Sequence, residues 1–230
     1  DFISLEEAVD CLMTEINSKL TAINPDILIE FRQSYIGPYV KKYGNMLRVN
    51  DCPGDSIINR IGVIDLRLTS GKTAVHSDMT TWSATEPVSA AALQIASIIY
   101  GVPQISVKLK NMPEDHIKMI GHYLGFWRKN REVLLDGKLT ATEPWANYSQ
   151  ACATLGDEEI ATAYADRVIE CKVACTTAIN CTGSDSLIIK GGKGRKYSVV
   201  DCMGNKVSEG KIDCDLFEIN IPLCGIFTAK

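Results

Sequence analysis

The spacing of apolar and polar positions predicts four helices in the first part of the chain. Between residues 4 and 20 the apolar side chains fall on one helical face. They are Leu5, Ala8, Val9, Leu12, Ile16 and Leu20. A second helical pattern follows Asp55 and ends near Gly71, a third covers residues 87–100, and a fourth covers residues 114–130.

Short apolar runs lie between these helical patterns and predict strands. They cover residues 27–31, 46–49, 73–76 and 104–109. Four strands, each followed by a helix, predict parallel βα units. This alternation fits an open doubly wound sheet and also fits part of a closed eight-stranded barrel.

The pattern changes after residue 143. Short β-branched runs, separated by turns that contain glycine, asparagine or aspartate, predict an antiparallel β-domain. Its clearest strands are residues 162–165, 187–190, 197–200 and 216–221. A boundary near Glu143-Pro144 divides the chain into residues 1–143 and residues 144–230.

Polar clusters follow the predicted parallel strands. No strand leads into a glycine-rich phosphate loop, which disfavours a nucleotide site. In barrel enzymes the active site lies at the carboxyl edge of the strands, so these clusters are expected to converge there. The clusters are Arg32-Gln33-Ser34, the segment 51–55, His76-Ser77-Asp78 and Lys108.

Several of these residues also fit simpler roles. Asp55 is well placed to cap the helix that follows it. His76 has small and apolar neighbours and fits a hydrogen-bonded core histidine. Trp82 and Trp145 fit core packing. Cys52 has no histidine or other base near it in sequence and is not predicted to be a nucleophile.

Composition excludes some partners. The 24 basic and 28 acidic residues are scattered and give a net charge of −4, so neither nucleic acid nor an anionic membrane is a predicted partner. No apolar run of about 18 residues is present. The nine cysteines lack zinc-site spacing and are predicted to be reduced thiols of a cytoplasmic protein. A disulfide among Cys171, Cys175, Cys181 and Cys214 is the alternative.

Three stretches in order, residues 27–38, 47–55 and 74–79, resemble glycoside hydrolase family 36, the α-galactosidases and their relatives. The opening Asp1-Phe2-Ile3 resembles the end of that family's catalytic strand. Residues 143–148, 197–204 and 221–226 resemble its C-terminal β-domain. The resemblance implies an α/β fold: the C-terminal half of a (β/α)8 TIM barrel followed by a small antiparallel β-sandwich domain.

The resemblance also implies retaining hydrolysis of terminal α-galactosyl residues, with Asp1 as the nucleophile and Asp51 as the acid/base. Two carboxylates and water complete this chemistry, so no cofactor or metal is implied. The implied partner is a galactoside or oligosaccharide substrate, and the full-length protein is expected to form a homo-oligomer. The implied sugar-binding residues are Arg32, Gln33, Ser34, Arg48, Asp55 and His76.

The sequence departs from the family at residues 32–34, where many members carry a cysteine, a serine and a glycine-rich loop. The accepted sugar is therefore left open. A catalytically silent sugar-binding relative and an unrelated enzyme of phosphorylated metabolites are the alternatives. Half a barrel would expose sheet edges and an apolar interior, so the chain by itself is expected to be inactive and to self-associate.

Overall fold

The computed structural model describes residues 2–32, 36–37 and 39–230. A parallel sheet with helices comes first, and two further sheets follow it along the chain. The helices are α1 (Leu5–Ile23), α2 (Ser56–Thr69), α3 (Val88–Ser97), α4 (Glu114–Lys129) and α5 (Arg131–Asp136). The strands of the parallel sheet are β1 (Glu30–Arg32), β2 (Met46–Arg48), β3 (Ala74–Thr80) and β4 (Val102–Ile105).

Side-chain caps define the starts of two helices. The Ser4 hydroxyl accepts a hydrogen bond from the Glu7 N–H at 3.2 Å. One oxygen of Asp55 accepts from the N–H groups of Ile57 and Ile58 at 3.0 and 2.9 Å. These N–H groups have no acceptor within their own helix, so the caps stabilise both starts. All four predicted helices are confirmed. The six-residue α5 is too short to show a helical period in the sequence.

The parallel sheet has the order β1-β2-β3-β4, and each neighbouring pair is parallel. The four predicted parallel strands are therefore confirmed. One detail of the prediction is wrong, because β1 is not followed by an α-helix. The described residues between β1 and β2 contain only a 3-10 turn, Val40–Lys42, in a segment that includes Gly37 and Gly44 and does not favour a helix.

Two sheets form the second part of the fold. A seven-stranded sheet has the order β12-β11-β14-β9-β7-β6-β5, and a three-stranded sheet has the order β13-β10-β8. A cluster of buried apolar side chains, including Ile169, Leu187, Val199 and Phe227, lies between them. The strands are β5 (Lys138–Thr142), β6 (Gln150–Leu155), β7 (Glu158–Ala163), β8 (Val168–Glu170), β9 (Cys175–Asn180), β10 (Ser186–Lys190), β11 (Lys196–Val200), β12 (Lys206–Lys211), β13 (Leu216–Asn220) and β14 (Ile226–Ala229).

Most of these pairings are antiparallel, as predicted. Two are not: β7 with β9, and β8 with β10, run parallel. Strand direction depends on where the connecting loops pass, and alternation of apolar and polar residues does not encode it. The seven-stranded sheet starts with β5, whose five residues pair with β6. Strand β5 has no separate signal in the sequence because it directly follows the segment of α4 and α5.

The parallel sheet and the seven-stranded sheet share one hydrophobic core. It includes Val63 of α2, Ile95 of α3, Met119 of α4, and Ile160 and Ile179 of the larger sheet. Buried tyrosine hydroxyls extend this contact. Tyr100 donates to the Ala151 carbonyl at 2.8 Å, and Tyr123 donates to the Cys224 carbonyl at 2.6 Å. These bonds hold the two parts in a fixed arrangement.

Helix α1 differs from the other long helices because none of its residues is buried. Its apolar face is open to solvent, with Leu5, Val9, Leu12 and Ile16 all exposed. Polar contacts attach α1 to the rest of the fold: Lys42 pairs with Asp10, and Asn17 donates to the Tyr43 carbonyl at 2.9 Å. No helix in the described part of the chain combines the length and apolarity of a membrane-spanning segment.

Each of the nine cysteines carries a free thiol. Cys181, Cys202 and Cys224 are buried, whereas Cys11 and Cys214 are exposed. The tail cysteines considered for a disulfide, Cys171, Cys175, Cys181 and Cys214, are thus separate thiols in the structure.

Candidate active site

Three long polar side chains lie in one row across the parallel sheet. Arg32 is paired in register with Arg48, and Arg48 with His76. Residues in register on adjacent strands project to the same face of a sheet. Arg32 and Arg48 are the last residues of β1 and β2, whereas His76 is the third of the seven residues of β3. The structure thus brings these three members of the polar clusters together on one face of the sheet.

Asp51 lies in the turn that follows β2 and bridges two members of this row. One of its oxygens is 2.5 Å from Nη1 of Arg32, and the other is 2.9 Å from Nη2 of Arg48. The Asp51 side chain remains 54% exposed. The hydrogen bond from Arg32, followed by the charges of both arginines, lowers the pKa of Asp51. Asp51 is a carboxylate in this arrangement.

Arg48 lies at the centre of the cluster and faces three carboxylates. Besides Asp51, it pairs with Asp78 at 2.9 Å and with Glu30 at 3.4 Å. Its side chain is only 15% exposed. Because the guanidinium presents donors in several directions from one plane, it can bridge carboxylates from β1, the turn after β2, and β3.

Asp78 is fully buried. One carboxylate oxygen binds Arg48, and the other accepts the Cys52 N–H at 2.5 Å. Asn59 of α2 binds the backbone on both sides of Asp78, accepting from its N–H at 3.0 Å and donating to its carbonyl at 3.2 Å. Strand β3 is therefore connected to the turn that carries Asp51.

His76 is held between a carbonyl and a carboxylate. Its Nδ1 is 2.9 Å from the Ser77 carbonyl, and its Nε2 is 2.5 Å from Glu30. A carbonyl oxygen can only accept, so Nδ1 carries a proton. His76 is therefore largely buried with both ring nitrogens bonded, as its simpler interpretation proposed, and its partner Glu30 also pairs with Arg48.

The charge of the cluster bears on the ligand it can accept. Among the described members, the carboxylates of Glu30, Asp51 and Asp78 outnumber the guanidinium groups of Arg32 and Arg48 by one. These members give no positive excess that would attract phosphate groups. It suits a neutral polyhydroxylated ligand, whose hydroxyls both donate and accept.

A cavity of about 240 Å³ is lined by His76 and by the first residues of β2, β3 and β4, so it lies toward the amino ends of these strands. Met46 and Ala74, two residues before Arg48 and His76 on their strands, line it together with Gln104. Among the described residues, no group of histidine, cysteine, aspartate and glutamate side chains is arranged to hold a metal ion.

The remaining predicted residues have different outcomes. Asp1, Gln33 and Ser34 lie outside the described residues. Asp55 caps α2, as its simpler interpretation proposed. Burial, followed by the charges of Asp78, Asp55 and Asp51, raises the pKa of Cys52 to about 12, which agrees with the prediction that it is not a nucleophile.

The two tryptophans differ. Trp82 is buried and donates through Nε1 to Nδ1 of His116 at 3.1 Å, as core packing predicted. The packing prediction is wrong for Trp145, whose side chain is 83% exposed. Trp145 lies in a 3-10 turn flanked by Glu143 and Asn147, both with left-handed backbone angles, and this turn directs the ring to solvent.

Sequence reasoning missed two members of the cluster, Glu30 and Asp78. The signal for Glu30 was a single charge within the apolar run 27–31. Asp78 belongs to the polar cluster His76-Ser77-Asp78, in which the family resemblance implies a sugar-binding role for His76 alone. Burial of a carboxylate beside an arginine from another strand depends on tertiary structure, so the sequence did not reveal it.

No protein-family model matches the chain. A search of curated protein sequences likewise finds no significant match.

Solved structures give a likeness in fold. The galactosidase domain of the alpha-galactosidase-sucrose kinase AgaSK is similar with a TM-score of 0.51 and 9% identity, over 94% of this chain and 31% of that chain. This chain thus spans about a third of that structure. At this identity the likeness shows only a glycosidase-like fold.

Two further structures are similar at lower scores. N2152 from Neocallimastix frontalis gives a TM-score of 0.38 at 9% identity, over 94% of this chain and 63% of that chain. A glucosidase from Croceicoccus marinus gives 0.36 at 13% identity, over 94% of this chain and 62% of that chain. Scores of this size carry no argument about function.

Proposed function

We propose that this chain is part of a retaining glycosidase that removes terminal α-galactosyl residues from α-galactosides. The observation that carries the proposal is the cluster beyond β2 of the parallel sheet, where the exposed carboxylate of Asp51 pairs with Arg32 and Arg48. Arg48 also pairs with Glu30, the partner of His76. Its position agrees with that of active sites in barrel enzymes. The fold likeness to a galactosidase domain supports the same class.

The proposal includes a barrel. The four parallel strands would form half of a (β/α)8 barrel, and further strands of the full-length protein would close it. Two features support closure. Among the described strands, β1 has a neighbour on one side only, and the apolar face of α1 is exposed. A closed barrel would pair the edge and cover the helix. We also propose that the full-length protein is a homo-oligomer.

In this mechanism Asp1 attacks the anomeric carbon, and Asp51 protonates the departing oxygen and later activates water. The acid step needs a proton on Asp51, yet Arg32 and Arg48 lower its pKa. Sugar hydroxyls that take over the Arg32 guanidinium would remove the largest cause of this lowering. Substrate binding would thereby raise the pKa of Asp51 and prepare it as an acid.

The first experiment assays aryl α-galactoside hydrolysis by the full-length protein. The Asp51→Ala variant and a matched control, Asp65→Ala, are assayed beside it. Asp65 is also an aspartate, but it lies on α2 and binds the Tyr148 hydroxyl, away from the cluster. We expect activity in the parent and control, loss in Asp51→Ala, and partial rescue by azide, which fits the space left by alanine and attacks the glycosyl-enzyme in place of water without needing a general base. No hydrolysis across a panel of α-glycosides would contradict the proposal.

A second candidate is a sugar-binding protein of the same fold without turnover. The observation in its favour is the double ion pair that keeps Asp51 ionised. Calorimetric titration of galactose into the parent and Asp51→Asn proteins separates the two candidates. Equal binding by both, together with no hydrolysis by the parent, supports the binding protein. Hydrolysis that is lost in the variant rejects it.

A further inference from the structure

We infer that Asp78 is the positioning residue of this site: its buried carboxylate fixes both the Arg48 guanidinium and the turn that carries Asp51. The inference concerns how the cluster is held together. The inference depends on the proposed function only in the experiment that measures the role of Asp78 by hydrolysis. No role for Asp78 follows from its position in the sequence alone.

The contacts of Asp78 leave neither carboxylate oxygen free. Oδ1 binds Arg48 Nη1 at 2.9 Å, and Oδ2 accepts the Cys52 N–H at 2.5 Å. Cys52 directly follows Asp51, so the second bond holds the turn at the residue next to the proposed acid/base. A buried carboxylate without partners is very unfavourable, so the folded state needs both bonds to stabilise the charge of Asp78.

A bulge in β3 lies at Ser77 and Asp78. His76 and Met79 are three positions apart on β3, whereas their partners Val102 and Gln104 on β4 are only two apart. Both residues of the bulge are fully buried. Bulges of this kind re-aim side chains and are frequent beside active sites.

Two neighbours stabilise the bulge. The Ser77 hydroxyl accepts the Gln104 N–H at 3.0 Å, which replaces a missing backbone partner. Asn59 binds both the N–H and the carbonyl of Asp78. Helix α2 starts at the Asp55 cap, only a few residues after Asp51. The helix, the bulge and the turn are thus connected around one carboxylate.

The charge of Asp78 affects the pKa of Asp51. Arg48 divides its donors between the two carboxylates. If Asp78 loses its charge, Arg48 can pair more fully with Asp51, and one nearby negative charge is lost. Both changes favour ionised Asp51 and lower its pKa further. In the part of the chain that the structure describes, the titratable and charged groups around Asp51 are Glu30 and Arg32 on β1, Arg48 on β2, His76 and Asp78 on β3, and Cys52 and Asp55 in its own turn.

The test compares the parent with Asp78→Asn, which keeps the shape and removes the charge. The Asp51 carboxyl is titrated by carbon-13 NMR. We expect its pKa to be lower in Asp78→Asn and unchanged in the control Asp65→Asn. In an active full-length protein, the basic limb of the kcat/KM profile should move to lower pH, with kcat/KM about ten- to a hundredfold lower at pH 7. A loss of rate without this displacement would indicate a merely structural role.

A second measurement uses the parent alone, in case Asp78→Asn does not fold. The Cys52 amide proton, bound to a buried carboxylate, should resonate far downfield and exchange slowly with solvent. An ordinary shift with rapid exchange would overturn the inference, as would an unchanged or raised pKa of Asp51 in a folded Asp78→Asn protein. Neither NMR result requires hydrolysis, so absence of activity would contradict the proposed function without deciding the role of Asp78.

Discussion

Arg48 and Asp51, three residues apart, form an ion pair of 2.9 Å across the turn that follows β2. The pair differs from an ordinary exposed ion pair because its two members have different environments. Arg48 is largely buried between strands, while Asp51 is more than half exposed. A ligand that enters from solvent therefore meets the carboxylate first, and the arginine behind it stays in place.

Replacing Arg32 with glutamine should raise the pKa of Asp51. The hydrogen bond from Arg32 is the largest cause of its lowered pKa, and glutamine carries no charge. Carbon-13 titration of the Asp51 carboxyl measures the change. Arg167→Gln is the matched control, because Arg167 pairs with Glu218 in another part of the fold. An unchanged titration in Arg32→Gln would show that this ion pair does not form in solution.

The same ion pairs give the stability of the parent a pH dependence. A carboxyl whose pKa is lower in the folded state stabilises that state at pH values above its unfolded pKa of about 3.9. The stabilisation is lost as the pH falls from there through the lower folded pKa. Arg32→Gln should therefore show a shallower loss of stability below about pH 4 in urea unfolding series.

The thiol of Cys52 should resist alkylation at pH 8. With a pKa of about 12, only about one thiol in ten thousand is a thiolate at that pH. Peptide-level mass spectrometry after iodoacetamide treatment should show rapid labelling of the exposed Cys11 and little labelling of Cys52. Equal labelling rates would contradict the described environment of Cys52.

Gly204→Ala should destabilise the fold by about 2–4 kcal/mol. Gly204 has a φ of +80°, and an added Cβ would lie 2.6 Å from Nδ1 of His122 on α4. Gly156→Ala is the control: its φ is +57°, but no atom lies within 4 Å of the added Cβ. It should cost only the backbone strain, about 1 kcal/mol. Equal losses in urea unfolding would show that His122 does not restrict this position.

Arg67→Met should lower the free energy of unfolding by about 2–4 kcal/mol. Arg67 donates to the carbonyls of Tyr100 at 2.6 Å and Leu134 at 2.5 Å, and so connects α2 to two other segments. Methionine fills similar space but leaves these carbonyls without a donor. The exposed Arg131 provides the control Arg131→Met, with an expected change within about 0.5 kcal/mol.

The sequence was most informative where a local pattern determines structure. The apolar period marked the long helices, and Asp55 marked the start of α2. The row formed by Arg32, Arg48 and His76 was anticipated because parallel strands place their carboxyl ends together. The ion pairs around this row were not anticipated, because they depend on which charged groups lose contact with water in the folded protein.

The bulge in β3 illustrates what stayed hidden. Residues 73–76 have the pattern of an ordinary strand, and nothing local indicates a bulge at Ser77 and Asp78. Similarly, the parallel pairing of β7 with β9 arises from a long-range connection. Both features are properties of neighbouring strands, and a pattern within one strand does not determine them.

The position of β14 has a consequence for how the protein is made. This strand, Ile226–Ala229, lies between β11 and β9 inside the seven-stranded sheet. Until the ribosome has released these residues, β9 and β11 lack their common partner and the sheet exists as two separate pieces. The parallel sheet and its helices can fold early during synthesis. The seven-stranded sheet becomes continuous only after β14 has been synthesised.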